Sequence, residues 1–172
     1  MMNKKNIIYK DKCIGITGVN GSLGRSLTKF LKSNGAYVIG FAHKDSLFKK
    51  ENIFPNDELN KPDEIVIWQC GKESLIENHL KKLDILVINH GINLNGIQQN
   101  NFFLDSIEVN SLSVLRLINI FEIVKKTSDH NSKKCFEIWV NTSESEVVPS
   151  LSFSYELSKR FIGQVLSYKK FL

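Results

Sequence analysis

Tyr155 and Lys159 stand four residues apart in a stretch, Ser154 to Phe171, whose pattern predicts a helix. Their side chains therefore share one face, one turn apart. A lysine ammonium beside a phenol favours the phenolate and draws the tyrosine pKa down from about 10. The hydroxyl then becomes a usable general acid or base near neutrality. A second set of residues suits a different task. Gly18, Gly21 and Gly24 recur at three-residue intervals after the apolar run that begins at Cys13, and a helical pattern follows them. The first glycine suits a tight turn, the second lets backbone approach a pyrophosphate, and the third allows close helix-to-strand packing. A phosphate would sit at the helix N-terminus, on unpaired N–H groups at the positive end of the dipole.

These residues need a scaffold, and the chain supplies an alternating one. The helix after the glycines carries an apolar stripe of Leu23, Leu27, Phe30 and Leu31 and ends at Asn34-Gly35. Ala36 to Phe41 is a short apolar run of the buried parallel type. Lys44 to Glu64 is polar, holds Pro55 and Pro62, and predicts at most a helical turn or two around Leu47 to Glu51. Ile65 to Trp68 is the third strand, and Glu73 to Lys82 a helix with Leu75, Ile76 and Leu80 facing in. Asp84 to Asn89 is the fourth strand, ending at His90-Gly91. A long helix from about Phe102 to Lys126 presents Ile107, Leu112, Leu115, Ile118 and Phe121, and Cys135 to Asn141 is the fifth strand. A loop from Thr142 to Ser152 leads into the last helix. The alternation predicts a doubly wound α/β fold: a Rossmann-like parallel sheet of about five strands in three α/β/α layers, with right-handed crossovers. Ligands bind beyond the carboxyl ends of such strands. Three polar clusters fall there: Thr17-Gly18, Asn89-His90-Gly91 and Thr142-Ser143.

Bulk properties narrow the classes. At 172 residues the chain suits one domain over residues 1–172. The net charge of +5 and pI near 9.1 come from scattered lysine pairs without an arginine-aromatic groove, which argues against a nucleic-acid partner. No apolar run approaches the roughly 20 residues of a membrane span, and the N-terminus lacks a signal-peptide pattern, so a soluble cytoplasmic protein without a membrane partner is expected. Cys13, Cys70 and Cys135 are odd in number and lack CxxC spacing. Buried free thiols are expected, two of them within strands, and no metal site.

Taken together, Thr17-Gly18-Val19-Asn20-Gly21-Ser22-Leu23-Gly24, Asp84 to Gly91, Val109-Asn110, Val140-Asn141-Thr142-Ser143 and Tyr155-Glu156-Leu157-Ser158-Lys159 resemble, in order, the motifs of the short-chain dehydrogenase/reductase family. The resemblance implies an NAD(P)-dependent oxidoreductase acting on a small alcohol or carbonyl compound. Tyr155 would exchange the proton, and Lys159 would depress its pKa and bond the nicotinamide ribose. Ser143 would hold the substrate oxygen, and Asn110 would kink its helix and seat a water linking Lys159 to solvent. Thr17, Gly18, Asn20, Gly21, Ser22, Leu23, Gly24, Asn89, His90 and Gly91 would shape the cofactor site. Hydride transfer belongs to the nicotinamide.

Several departures from the family pattern carry expectations of their own. The glycine spacing TGxxGxxG is that of the extended, sugar-nucleotide-modifying branch, whereas the overall spacing looks like the one-domain reductases. His90 replaces a small residue and is expected to be a satisfied loop histidine. Ser143 is preferred as hydroxyl donor, with Thr142 and Ser145 as alternatives; another alignment would put Glu144 there. At the end of the second strand Ala42 stands where NAD enzymes hold an acid, and His43 and Lys44 follow, so NADP(H) is favoured over NAD(H), with Asp45 as the competing ribose ligand. Family helices holding the Asn110 and Tyr155 positions pack across a two-fold axis, and Leu117, Ile120, Phe161 and Val165 predict a homodimer. Family members continue with further strands beyond the tyrosine helix. The domain is thus expected to be incomplete at its C-terminal end, binding cofactor weakly and turning over little. The competing reading is a non-catalytic nucleotide-binding or interaction protein on the same fold.

Overall fold

Five short apolar runs pair side by side, all in parallel: Cys13–Thr17 (β1), Tyr37–His43 (β2), Glu64–Trp68 (β3), Ile85–Ile88 (β4) and Glu137–Val140 (β5), in the order β3-β2-β1-β4-β5. The structure is a computed structural model and describes residues 8–43, 58–93, 102–128 and 135–169. Helices on both faces make the expected three layers: Ser22–Ser33 (α1), Glu77–Leu80 (α2), Phe102–Ile107 (α3), Ser113–Ser128 (α4) and Phe153–Lys169 (α5). A π-helical turn, Glu108–Leu112, joins α3 to α4. The strand period of two divides the core between the faces. Ile14, Ile16, Val38, Ile85 and Val87 pack with Leu31 on the α1 side. Ile39, Phe41, Leu86 and Ile88 pack with Leu80, Leu117, Phe121 and Ile162 on the other.

The strands lie close to where the pattern puts them, but several helix faces are rotated. On α1 the buried row is Gly24, Thr28 and Leu31, while Leu23 and Phe30 are about half exposed. The cause is the approach at Gly24: a Cβ there would lie 2.4 Å from the Gly18 carbonyl oxygen and 2.8 Å from Val19 Cα. Backbone contact that close turns the Gly24 row inward, and Leu23 is left at the rim of a cavity. Before α2, residues Glu73–Ile76 form a 3₁₀ turn, whose tighter period brings Glu73 and Ile76 inside and leaves Leu75 exposed. On α4 the core residues are Val114, Leu117, Ile118, Phe121 and Val124, and Leu112 is exposed. The π turn adds a residue to the preceding helical path and shifts the apolar phase across it.

Two further expectations change. Leu117 is wholly buried and Ile120 packs against the same core, so on α4 the residues invoked for a dimer are used within the monomer; Phe161 on α5 remains half exposed. Cys13 and Cys70 are half-buried free thiols, but Cys135 is exposed and precedes β5 instead of lying in it. The helical turn around Leu47 to Glu51 falls outside the described residues, and no described helix is long and apolar enough to cross a membrane.

A charged knot ties the turn after β3 to α4. Arg116 Nε donates to buried Glu73 Oε2 at 2.8 Å and Nη2 to Oε1 at 3.2 Å, the Gly71 N–H donates to Oε1 at 2.9 Å, and the guanidinium also reaches Glu108 in the π turn. Burial pushes the Glu73 carboxyl up, yet these donors outweigh it and hold it below the usual carboxylate range.

The Gly24 contact gives a direct test. Gly24→Ala sets a methyl against backbone that cannot step aside, an overpacking change that costs about 1–3 kcal/mol. Urea denaturation should show a lowered midpoint with an unchanged slope, and a midpoint equal to the parent's would contradict the close approach.

Candidate active site

The glycine turn works through backbone. Gly18 has φ 66°, and a Cβ there would sit 2.8 Å from His90 Cα, so only glycine lets the ends of β1 and β4 abut. The Gly21 N–H donates back to the Gly18 carbonyl at 3.1 Å, closing the turn. Gly21 then caps α1 in an extended conformation without a side-chain cap, and the first turn of α1 holds no acid. Its leading N–H groups therefore keep the anion-binding character expected of a helix N-terminus. A cavity of about 610 Å³ opens in front of it. Gly18, Asn20, Gly21, Ser22 and Leu23 form one wall; Ala42 and His43 at the end of β2 form another, with Trp68 and Cys70 after β3. Asn89, His90, Gly91 and Ile92 after β4, with Val109 and Asn141, complete it. Gly24 lies behind the turn and acts through packing, and Thr17 lies beneath the floor. Lys44 and Asp45 lie outside the described residues.

Thr17 binds the floor together. Its Oγ1 accepts from the Asn89 N–H at 2.9 Å and lies 2.8 Å from His90 Nδ1. The His90 ring meets Trp68 edge-on, centroids 5.0 Å apart. His90 is thus a packed floor residue, bonded at Nδ1, but its buried Nε2 has no hydrogen-bond partner among the described residues, so the expectation of a satisfied histidine is met at one ring nitrogen only. Burial, reinforced by the Lys159 charge, lowers its pKa to about 4, so the ring is neutral at physiological pH.

The other half of the site is joined by side chains. Asn110, fully buried in the π turn, accepts from the Ile92 N–H through Oδ1 at 2.8 Å. Its Nδ2 donates to the Ile92 carbonyl and to Ser158 Oγ, both at 2.9 Å. Ser158 Oγ in turn donates to the Tyr155 carbonyl at 2.7 Å, and Ser111 Oγ donates to the Ser158 carbonyl at 2.7 Å. Lys159 is 5% exposed; its Nζ donates to the Asn141 carbonyl at 3.3 Å and lies 5.8 Å from the Tyr155 ring centroid. Burial lowers the Lys159 pKa from its usual value, and the Glu146 carboxylate opposes that shift. Asn141 Nδ2 donates to Asn89 Oδ1 at 3.1 Å, which links this half to the cavity wall beyond the glycine turn.

Asn110 and the Tyr155 carbonyl are thus joined through Ser158, Lys159 and Asn89 through Asn141, and Gly91 packs closely enough on Asn110 that a Cβ there would lie 3.0 Å from its Oδ1. Ser143 belongs to its own turn: its Oγ accepts from the Ser145 N–H at 3.2 Å and caps Glu144–Glu146. Thr142 is exposed and lines a separate hollow with Glu146 and Gly163. Residues not foreseen are Ser158, Asn141, Trp68, Cys70 and Ile92. Trp68 and Asn141 could have been found from their positions at strand ends; Ile92 has no signal of its own because it acts through its backbone N–H and carbonyl, and the Ser158 hydroxyl looks like that of any helical serine.

No family model matches the chain. A curated relative, the monoglucosyldiacylglycerol epimerase of Synechocystis sp., is 37% identical over 161 residues, 94% of this chain; the chain spans 38% of that relative's length. Among solved structures, a short chain dehydrogenase of Shigella flexneri complexed with NADP superposes with a TM-score of 0.69 at 17% identity, over 94% of this chain and 71% of that one. A 3-oxoacyl (acyl-carrier-protein) reductase of Agrobacterium tumefaciens with NADP bound gives a TM-score of 0.70 at 14% identity, over 98% and 67%. The chain has the short-chain dehydrogenase fold. Within that fold the glycine turn and the Asn110 to Lys159 network meet at the carboxyl edge of the sheet, where the resemblance in motifs leads one to look for them.

The buried His90 sets a pH dependence with a definite sign. Its pKa falls from the usual 6.5 to about 4 on folding, so between those values the unfolded chain takes up a proton the native ring refuses, and stability drops as pH falls. His90→Gln should flatten the stability profile between about pH 6.5 and 4. Parallel parent and variant profiles in thermal unfolding would contradict the assignment.

Proposed function

We propose that the chain is the nicotinamide-binding part of a short-chain dehydrogenase/reductase, an enzyme that interconverts a secondary alcohol and its ketone. The observation that carries this reading is the placement of Tyr155 and buried Lys159 on one face of α5, tied through Asn110 and Asn141 to the cavity in front of the glycine turn. The cavity fits a dinucleotide: the Gly18 and Gly21 backbone would take the pyrophosphate, and the wall of Ala42, His43 and Trp68 would take the adenosine end. The nicotinamide, when bound, supplies hydride acceptance and donation.

The chain's residues handle the proton. The Tyr155 hydroxyl exchanges it with the substrate oxygen, and the Lys159 ammonium favours the phenolate by its charge. Asn110 positions the pair by fixing the turn of α5 that carries them, and Ser143, in this reading, steadies the substrate oxygen. The cofactor is NADP(H) in preference to NAD(H), because Ala42 leaves no carboxylate for the ribose hydroxyls and His43 faces the cavity where a 2′-phosphate would lie. A homodimer formed partly through the half-exposed Phe161 of α5, in the cytoplasm, where free thiols persist, belongs to the same proposal.

The relative's printed name favours one form of this chemistry. An epimerase of a glucosyl lipid inverts a carbinol carbon of the sugar. Oxidation to the ketone followed by return of hydride to the opposite face accomplishes that with no net redox change. The TGxxGxxG spacing points the same way. We therefore propose the sugar of a neutral glycolipid as the substrate group.

Two measurements test this reading. Titration by cofactor fluorescence should give tighter binding of NADPH than of NADH; equal or tighter NADH binding reverses the cofactor assignment. In the enzyme that carries this chain, Tyr155→Phe should lower turnover at least about a hundredfold while leaving cofactor affinity nearly unchanged, and retained turnover would move the proton donor elsewhere.

A further inference from the structure

The segment from Val147 to Tyr155 runs nine residues without a charge, Val-Val-Pro-Ser-Leu-Ser-Phe-Ser-Tyr. Its apolar side chains point outward: Val147 is 78% exposed, Phe153 69%, and Leu151 wholly. The segment is nevertheless held in place. The Val147 and Val148 N–H groups both donate to the Glu144 carbonyl, at 2.9 and 2.8 Å, and the Ser150 N–H donates to Glu156 Oε2 at 2.7 Å. The Ser152 N–H donates to Ser150 Oγ at 3.2 Å, and the Ser152 carbonyl receives the first N–H of α5 from Glu156 at 2.9 Å. The backbone is thus satisfied from within, while three large apolar side chains stay in water. Contiguous exposed apolar surface of this kind marks an interaction site. On α3, which packs against α5, Phe103 and Leu104 are exposed as well.

We infer that the Val147–Phe153 segment is a docking rim for the diacylglycerol end of a neutral glycolipid held in a bilayer surface. The inference rests on the proposed function, because it is the position of Tyr155 as proton donor that gives the rim its meaning. Phe153 lies two residues before Tyr155, so a substrate whose sugar hydroxyl reaches that phenol carries its lipid portion across the rim. Charge selects the occupant. The segment itself is uncharged and is flanked by Glu144 and Glu146 on one side and Glu156 on the other; Glu156 pairs with Arg160 at 2.9 Å, and Glu146 acts on the enclosed Lys159 ammonium behind the rim. That setting accepts an uncharged headgroup and repels an anionic one, despite the chain's overall positive charge. Shallow insertion of such a rim needs no membrane-crossing helix. It adds a peripheral membrane contact that composition alone gave no reason to expect.

Vesicle flotation tests the rim, with Val147→Ser/Leu151→Ser as the comparison, since neither side chain enters the core. The purified chain should float with phosphatidylcholine vesicles containing glucosyldiacylglycerol, no better with phosphatidylglycerol in its place, and the double variant should float at least about tenfold less. Circular dichroism and NADPH titration should be the same for both proteins. Absence of flotation by the parent, or equal flotation by the variant, overturns the inference. So does a rim that proves to join two copies, with the parent dimeric, the variant monomeric and neither floating. Loss of NADPH binding by the parent would sink the cofactor reading separately, with flotation still deciding the rim.

Discussion

The carboxamide of Asn110 is the interaction on which the candidate site depends. It is fully buried and its three hydrogen bonds reach two segments other than its own, the strand end at Ile92 and the turn of α5 at Ser158. A buried amide with every bond made contributes about 1 kcal/mol per bond, and each partner left unpaired costs about 1–3 kcal/mol. Removing it would leave both the N–H and the carbonyl of half-buried Ile92 without their partner at the cavity wall. The π turn is what makes the residue available: the widened backbone at Glu108–Leu112 sets Asn110 and Ser111 side by side against α5, and both bond Ser158. π bulges of this kind recur at functional sites, and here the bulge carries the pair of hydrogen bonds that locate Tyr155 and Lys159.

Electrostatics in the site follow from who is buried with whom. Lys159 is almost fully enclosed and has a carbonyl, from Asn141, as its hydrogen-bonded partner, so burial works against its charge. His90 is enclosed nearby and is held neutral by burial and by the lysine's own field. The two effects fit together, because a charged imidazole in the floor would deepen the penalty on the ammonium. A neutral His90 can still engage Thr17 and meet Trp68 edge to face, which fills with packed rings the space that a small residue would leave. Away from the site, the Glu73–Arg116 knot keeps the turn after β3 seated on α4, so that Trp68 and Cys70 stay at the cavity wall.

What could be read from the sequence divides along physical lines. The five strands and their parallel pairing were legible, because strands buried on both faces must be nearly continuous apolar runs, and Ile85 to Ile88 or Val38 to Phe41 have no other plausible fate. The glycine turn was legible because its three glycines answer to separate steric demands. Helix faces were harder. Leu23 and Leu112 belong to apolar stripes that assume an undisturbed α period, and the structure breaks that period at the π turn and overrides it at Gly24. The buried face around the π turn is polar, Ser106, Asn110, Ser111 and Ser113, and no hydrophobic pattern could mark it. Asn110 was found through the resemblance in motifs alone. Ser158, which binds it, stood unremarked inside the quoted Tyr155-Glu156-Leu157-Ser158-Lys159, since a hydroxyl that donates to the carbonyl three residues back looks like any other helical serine.

The two halves of the site are built from different materials, and that decides how each responds to change. The glycine-turn half is backbone: Gly18 abuts His90, Gly21 closes the turn, and Gly24 presses α1 onto it, with parallel pairing of β1 to both β2 and β4 fixing the geometry from beneath. Such a site tolerates side-chain variation around it and fails only when a Cβ is added. The half around Tyr155 is a chain of hydrogen bonds from Ile92 through Asn110 and Ser158 to the Tyr155 carbonyl, with Lys159 anchored on Asn141. Each link there is a single group whose loss leaves its neighbours unpaired, so the Tyr155 side chain can be displaced without unfolding anything. The single bond from Asn141 Nδ2 to Asn89 Oδ1 spans the two halves at the edge of β4 and β5. Because it joins adjacent parallel strands at their carboxyl ends, any movement of β5 carries Lys159 with it relative to the cavity wall, and the register of β5 on β4 becomes part of the alignment of the site.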